Sequence, residues 1–177
     1  MTMLVGASVL LVVLVTVLAG SRTAGADPRG LCGELARDYA VDLPVGWTLE
    51  CSPGFPQSWP ADHATLALSH RPSRRIVVRD GQDPTATSAA IAHEIAHAEA
   101  TQWQPEVRAA FARAVGQERW SGDGPDAPVE VFAESSVRCR GLPIDPTHPL
   151  VHCELVEAAR TAGGQSTPLR AVDQKIR

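Results

Sequence analysis

Lysine is nearly absent: of the sixteen basic residues in this 177-residue chain, only Lys175 is not an arginine. Positive charge is not in excess either, because twenty acidic residues give a formal net charge of −4 and a sequence pI near 5.8. That balance excludes an ordinary nucleic-acid binder, whose footprint is basic. Aromatic residues make up only 5 %, so aliphatic side chains must fill most of the core. The four cysteines include no C-x-x-C pair, which argues against a thiolate zinc cluster. No internal repeat occurs.

What is present suffices for a folded domain. Hydrophobic residues reach 44 %, which excludes a wholly disordered chain, and 14 Gly with 14 Pro predict short elements and many loops. The length favours one domain.

Met3 to Gly20 is an almost unbroken apolar run without charge. Ala24-Gly25-Ala26 then fits the small-x-small rule for signal-peptide cleavage before Asp27. Residues 1–26 are therefore expected to be a signal peptide, with an uncleaved N-terminal membrane anchor as the alternative, since about 18 residues is near the lower limit for spanning. Ser21 stands where lipidation would require Cys. The expected location is secreted, or anchored and facing outside. In an oxidising compartment four cysteines suggest two disulfides, with three connectivities open. Proximity favours Cys32–Cys51 and Cys139–Cys153, each closing a short loop worth about 3 kcal/mol in the chain-entropy model.

The mature chain, residues 27–162, is expected to be one domain, followed by a polar tail over 163–177. Pro28 to Tyr39 carries Leu31, Cys32, Leu35 and Tyr39 at helical spacing. Trp47–Cys51, Thr65–Ser69 and Arg75–Arg79 are three short strand candidates, the last two joined around Arg71-Pro72-Ser73. They predict a small, largely antiparallel sheet. Helices dominate afterwards: Thr87–Gln102, Pro105–Gly116, Pro128 to about Arg138, and Thr147–Thr161. The expected class is α+β, a small antiparallel sheet packed on one helix and a mostly helical C-terminal half.

The strongest chemical signal lies inside the best helix, Ala92-His93-Glu94-Ile95-Ala96-His97-Ala98. Residues four apart share a helix face, so His93 and His97 can ligate one metal ion. Glu94, beside the first ligand, can reach a metal-activated water as general base. A catalytic zinc takes a third protein ligand. The candidates are Asp123, Asp126, Glu130, Glu134, His148 and His152. Glu130-Val131-Phe132-Ala133-Glu134 sets two carboxylates four apart on one helix, a spacing that repels by a few tenths of a kcal/mol unless a cation or an imidazole N–H lies between them. One can ligate the metal while the other orients a ligand imidazole. His63 and His70 flank a strand without further signal. Trp47, Trp59, Trp103 and Trp120 lack regular spacing and read as packing residues.

HEIAH followed by EVFAE resembles the gluzincin metallopeptidases, and the second motif is similar to that of catalytic domains of the anthrax lethal factor type. The resemblance covers His93 to Glu134 and implies a zincin-like fold. It further implies a zinc ion held by His93, His97 and Glu130, with Glu134 as partner of His93. The chain departs from the family at Glu99, where an apolar residue is usual, and in having no Tyr before Glu130 to polarise a substrate carbonyl. Two functions follow as expectations. One is an exported monomeric zinc peptidase acting on peptides or proteins, with substrate added along the sheet edge. The other is a non-catalytic exported module that binds zinc or a partner on the same fold.

Overall fold

The computed structural model describes residues 28–56 and 65–164. The expected signal peptide or anchor, residues 165–177 of the expected tail, Trp59 and His63 lie outside the described residues.

The domain opens with α1 (Pro28–Tyr39) and a single 3-10 turn, Ala40–Asp42. Cys32, Leu35 and Tyr39 are buried along one side of α1, as their spacing requires. The sheet consists of β1 (Thr48–Ser52), β2 (Ala67–His70) and β3 (Arg75–Arg79) in the order β1-β3-β2. Here the expectation needs correction: the sheet is mixed. β2 and β3 form an antiparallel pair joined by a 3-10 turn at Arg71–Ser73, but β3 inserts beside β1 and runs parallel to it. The connection from Ser52 to Ala67 is long enough to let β2 lie one strand away from β1, which leaves the central place to β3. β2 is consequently an edge.

The long helix α2 (Pro84–Thr101) starts three residues before the expected Thr87. Asp83 is its cap, accepting the N–H groups of Thr85 and Ala86, and Pro84 sits at a first-turn position where no N–H is needed. Ile91, Ile95 and Ala98 pack into a cluster with Leu35, Trp47, Ile76 and Val78, between the sheet and α1. Ala96 and Ala100 face the opposite way, into a second cluster with α3 (Pro105–Ala114), α4 (Pro128–Cys139) and α5 (Cys153–Ala162). Small residues on α2 let both layers approach it closely. The second cluster centres on Trp103, Phe111 and Phe132, whose rings meet edge-on, with Trp103 and Phe132 centroids 4.5 Å apart. Gly163, just past α5, lets the Trp103 ring close over it; a Cβ there would stand 2.2 Å from the indole.

The last helix begins six residues later than expected, at Cys153 rather than Thr147. Pro149 has no N–H and clashes with a preceding carbonyl inside a helix. Asp145 holds the Thr147 N–H and hydroxyl in a local turn instead. The disulfides join Cys32 to Cys51 and Cys139 to Cys153. The first ties α1 to β1 and the second ties the end of α4 to the start of α5. Two such bridges indicate an oxidising environment. No described helix is long and apolar enough to cross a membrane.

Candidate metal centre

α2 and α4 pack against each other, and their facing sides carry the two motifs. The first HEIAH histidine, His93, points its Nε2 at both His97 and Glu130. His93 Nε2 lies 2.9 Å from His97 Nε2 and 3.3 Å from Glu130 Oε2, and His97 Nε2 lies 3.5 Å from the same oxygen. Three donors each about 2.1 Å from one tetrahedral ion stand about 3.4 Å apart. The triangle formed by these atoms therefore has the size of one face of such a site, and the three residues can hold a metal ion.

Glu134, one turn beyond Glu130, contacts the other nitrogen of His93: Oε2 lies 3.2 Å from Nδ1. Its second oxygen accepts the Asp145 N–H. Glu134 is thus fixed by two partners, while Arg138, four residues further along α4, donates to the Val151 carbonyl. The two carboxylates lie on opposite sides of one imidazole, which removes the repulsion inherent in their spacing. Burial disfavours charge on His93, yet hydrogen bonds to Glu130 and Glu134 outweigh it and raise its pKa from 6.5 to about 10. Burial likewise works against ionised Glu130 and Glu134, but the histidines hold Glu130 well below the usual carboxylate range. His93 and the Asp145 N–H lower Glu134 in the same way.

Glu94 projects toward the sheet. Its Oε2 accepts the Ser69 N–H at 2.8 Å, and the residue is buried. Ser69 has a free N–H to give because of the strand register. Arg79 N donates to the Leu66 carbonyl, so Leu66, Leu68 and His70 face β3 while Ala67 and Ser69 turn their polar groups outward. The carboxylate between the two histidines is thereby held at the sheet edge. Beside it opens a cavity of about 350 Å³, reaching from His93 and Glu94 to Leu66, Ala90, Val137 and Ile144. This mostly apolar hollow was not legible in the sequence, because its walls come from β2, α2, α4 and the segment after α4.

The remaining candidates lie elsewhere. Asp123 and Asp126 line a separate surface hollow with Arg119 and Pro128. His152 is exposed at the start of α5, and His148 turns toward Asp145 at 3.8 Å. Cys32 and Cys51 stand near Asp80, but their sulfurs are bonded to each other.

Glu99, the departure noted on α2, is buried and bonded to Arg160 of α5 at 2.8 Å. Burial raises its pKa to about 7 despite the opposing charge of Arg160. The pair is a cross-helix contact that joins α2 to α5. A second buried pair, Arg140 with Asp42, joins the end of α4 to the turn after α1.

No protein-family model, curated protein sequence or solved structure matches the chain.

Proposed function

We propose that the chain is an exported zinc-dependent peptidase of gluzincin type. The observation that carries this reading is the convergence of His93, His97 and Glu130 on one point, with the Glu94 carboxylate fixed beside them at the sheet edge. Two imidazoles and a carboxylate suit zinc. A zinc ion in that position supplies a Lewis acid that polarises the scissile carbonyl and lowers the pKa of a water. Glu94 takes the proton of the attacking water through its outer oxygen and returns it to the leaving amine. Glu134 keeps the His93 ring oriented with Nε2 toward the cluster. The outward N–H and carbonyl of Ala67 and the carbonyl of Ser69 on β2 hold an extended substrate backbone, and the apolar hollow receives one of its side chains.

A second reading, an exported module that holds zinc without catalysis, draws on one observation: Glu94 Oε2 already serves the Ser69 N–H. Metal content and casein hydrolysis of the purified full-length chain, compared with Glu94→Gln, separate the two. The peptidase reading expects about one zinc per chain and hydrolysis that falls by about 10²–10⁴-fold in the variant. Stoichiometric zinc with no hydrolysis of casein or of a mixed peptide library supports the binding module.

A further inference from the structure

The face of α2 that carries Glu94 leads to a second, differently charged pocket. Thr101 follows Glu94 by seven residues, two helical turns, so it lies on the same face about 10 Å further on. There Trp47, Arg71, Arg74, Thr101 and Gln102 line a cavity of about 300 Å³. Among the described residues neither Arg71 nor Arg74 forms an ion pair, whereas the adjacent Arg75 pairs with Glu50.

The backbone at this point is unusual. Arg74 has φ 52° and ψ 46°, the left-handed region, and is the sole non-glycine with positive φ among the described residues. A residue of this type costs about 1 kcal/mol or more there, where glycine costs nothing. Opposite stands Gly46, at φ 82°, and a Cβ on it would lie 3.0 Å from Arg74 Nη1. The turn thus places an arginine where glycine would be unstrained, and its guanidinium passes close over Gly46. The result is a pair of exposed cations at one end of α2, with no carboxylate partner among the described residues.

The position along the cleft says what reaches them. A peptide added antiparallel to β2 runs opposite to the direction Ala67 to His70, so its N-terminal part lies at the Arg71 end. At about 3.3 Å per residue, 10 Å corresponds to about three residues. We propose that Arg71 and Arg74 bind the carboxylate of an acidic side chain about three residues N-terminal to the bond that is cut. The substrates are accordingly peptides acidic on that side. This rests on the peptidase reading and adds to it the charge class of the substrate.

The test uses three dye-labelled decapeptides with a central Ala–Leu. One carries Glu at the third residue before the central bond, its twin carries Gln there, and the third carries Glu three residues after the bond. Dissociation constants are read by fluorescence anisotropy on the zinc-loaded full-length Glu94→Gln chain, and kcat/KM on the wild type. Charge-assisted hydrogen bonds to the two guanidiniums should favour the first peptide over its twin by about tenfold in both measurements. The preference should shrink as salt is raised. In Arg71→Gln/Arg74→Gly the Glu-to-Gln ratio should collapse to near one. Glycine relieves the left-handed backbone, so the melting temperature of that variant should hold or rise. Arg113→Gln/Arg119→Gln removes the same net charge at exposed positions elsewhere and should keep the preference. Equal binding of the twins, a preference for Glu on the C-terminal side, or a preference that survives in Arg71→Gln/Arg74→Gly overturns the proposal. So does a double variant that merely melts earlier with its preference intact, since the arginines would then serve only the carbonyl end of α2. Cleavage without charge preference sinks this inference and leaves the peptidase standing. Preferential binding without cleavage of any peptide supports the anion site and sinks the peptidase.

Discussion

Ser69 N–H donates to Glu94 Oε2 at 2.8 Å, so one oxygen of the carboxylate between the two histidines is committed to the edge strand. The other oxygen makes no hydrogen bond among the described residues. That division gives Glu94 two roles which substitution can separate. Glutamine keeps an acceptor for Ser69 but cannot take a proton, whereas alanine loses both. Glu94→Gln should therefore melt close to wild type while hydrolysis falls by about 10²–10⁴-fold. Glu94→Ala should lose about 1 kcal/mol of stability in addition. Thermal melts of both variants check this, and equal Tm for Gln and Ala would show that the Ser69 bond contributes nothing.

Glu130 and Glu134 should differ in their effect on zinc. Glu130 Oε2 is shared between both imidazoles, whereas Glu134 touches only the far nitrogen of His93. Glu134→Gln should weaken zinc binding by about 10–100-fold. Glu130→Gln should weaken it more, because a ligand atom itself is altered. Competition with a zinc chelator reads both constants, and the reverse order would exchange the two roles.

Proton and metal compete for His93. With its pKa raised to about 10, the metal-free protein keeps this imidazole protonated near neutrality. The stability this gives the metal-free fold is fully present below 6.5 and is lost as pH rises toward 10. Glu130 and Glu134, whose pKa values are lowered, contribute above the ordinary carboxylate value of 4.5 and lose that contribution as acid protonates them. The metal-free protein should thus be most stable between about pH 4.5 and 6.5 as far as this cluster decides. Zinc must displace the His93 proton, so its apparent affinity should rise about tenfold per pH unit from pH 7 to 9. Calorimetry in two buffers of different ionisation heat should count about one proton released. Affinity independent of pH would contradict this arrangement.

The Cys139–Cys153 bridge ends α4 five residues past Glu134 and closes a short loop, with a sequence separation of 14. Replacing both cysteines by alanine should cost about 3 kcal/mol of stability. It should also weaken zinc, because the segment between them carries the Asp145 N–H that holds Glu134. Unchanged zinc affinity in a variant that melts earlier would uncouple the bridge from the site.

Glu99 and Arg160 test how α2 is held from the far side. Both are buried, at 2 % and 4 % exposure, and they are bonded to each other. Either single truncation to alanine should cost up to about 3–5 kcal/mol by taking from a buried charge the partner that faces it. Glu99→Leu/Arg160→Met should recover most of it. Urea melts of the two single variants and the double variant decide, and additive losses would show that the pair does not interact.

Local chemistry alone carried a large part of this structure. The helix Pro28–Tyr39, the strand Arg75–Arg79, the His93/Glu94/His97 face and both disulfide pairs depend on residues close in sequence, whose spacing is their geometry. Helical periodicity put Glu130 and Glu134 on one face, but it left six candidates for the third position, and Glu130 was singled out only by the resemblance of EVFAE to a known motif. Other features depended on residues far apart in the chain. The parallel pairing of β3 with β1 came from which strand took the centre, a matter of burial summed over the whole sheet. The late start of α5 came from Pro149 and the Asp145 turn outweighing a tolerable helical pattern. The clamp of Ser69 on Glu94, the apolar hollow beside it and the approach of Arg74 to Gly46 are contacts across 25 residues or more. The sequence determined which side chains could do chemistry, because helical periodicity is a local property. Which backbone edge, cavity and charge they meet was decided by packing, which acts only once the chain has closed on itself.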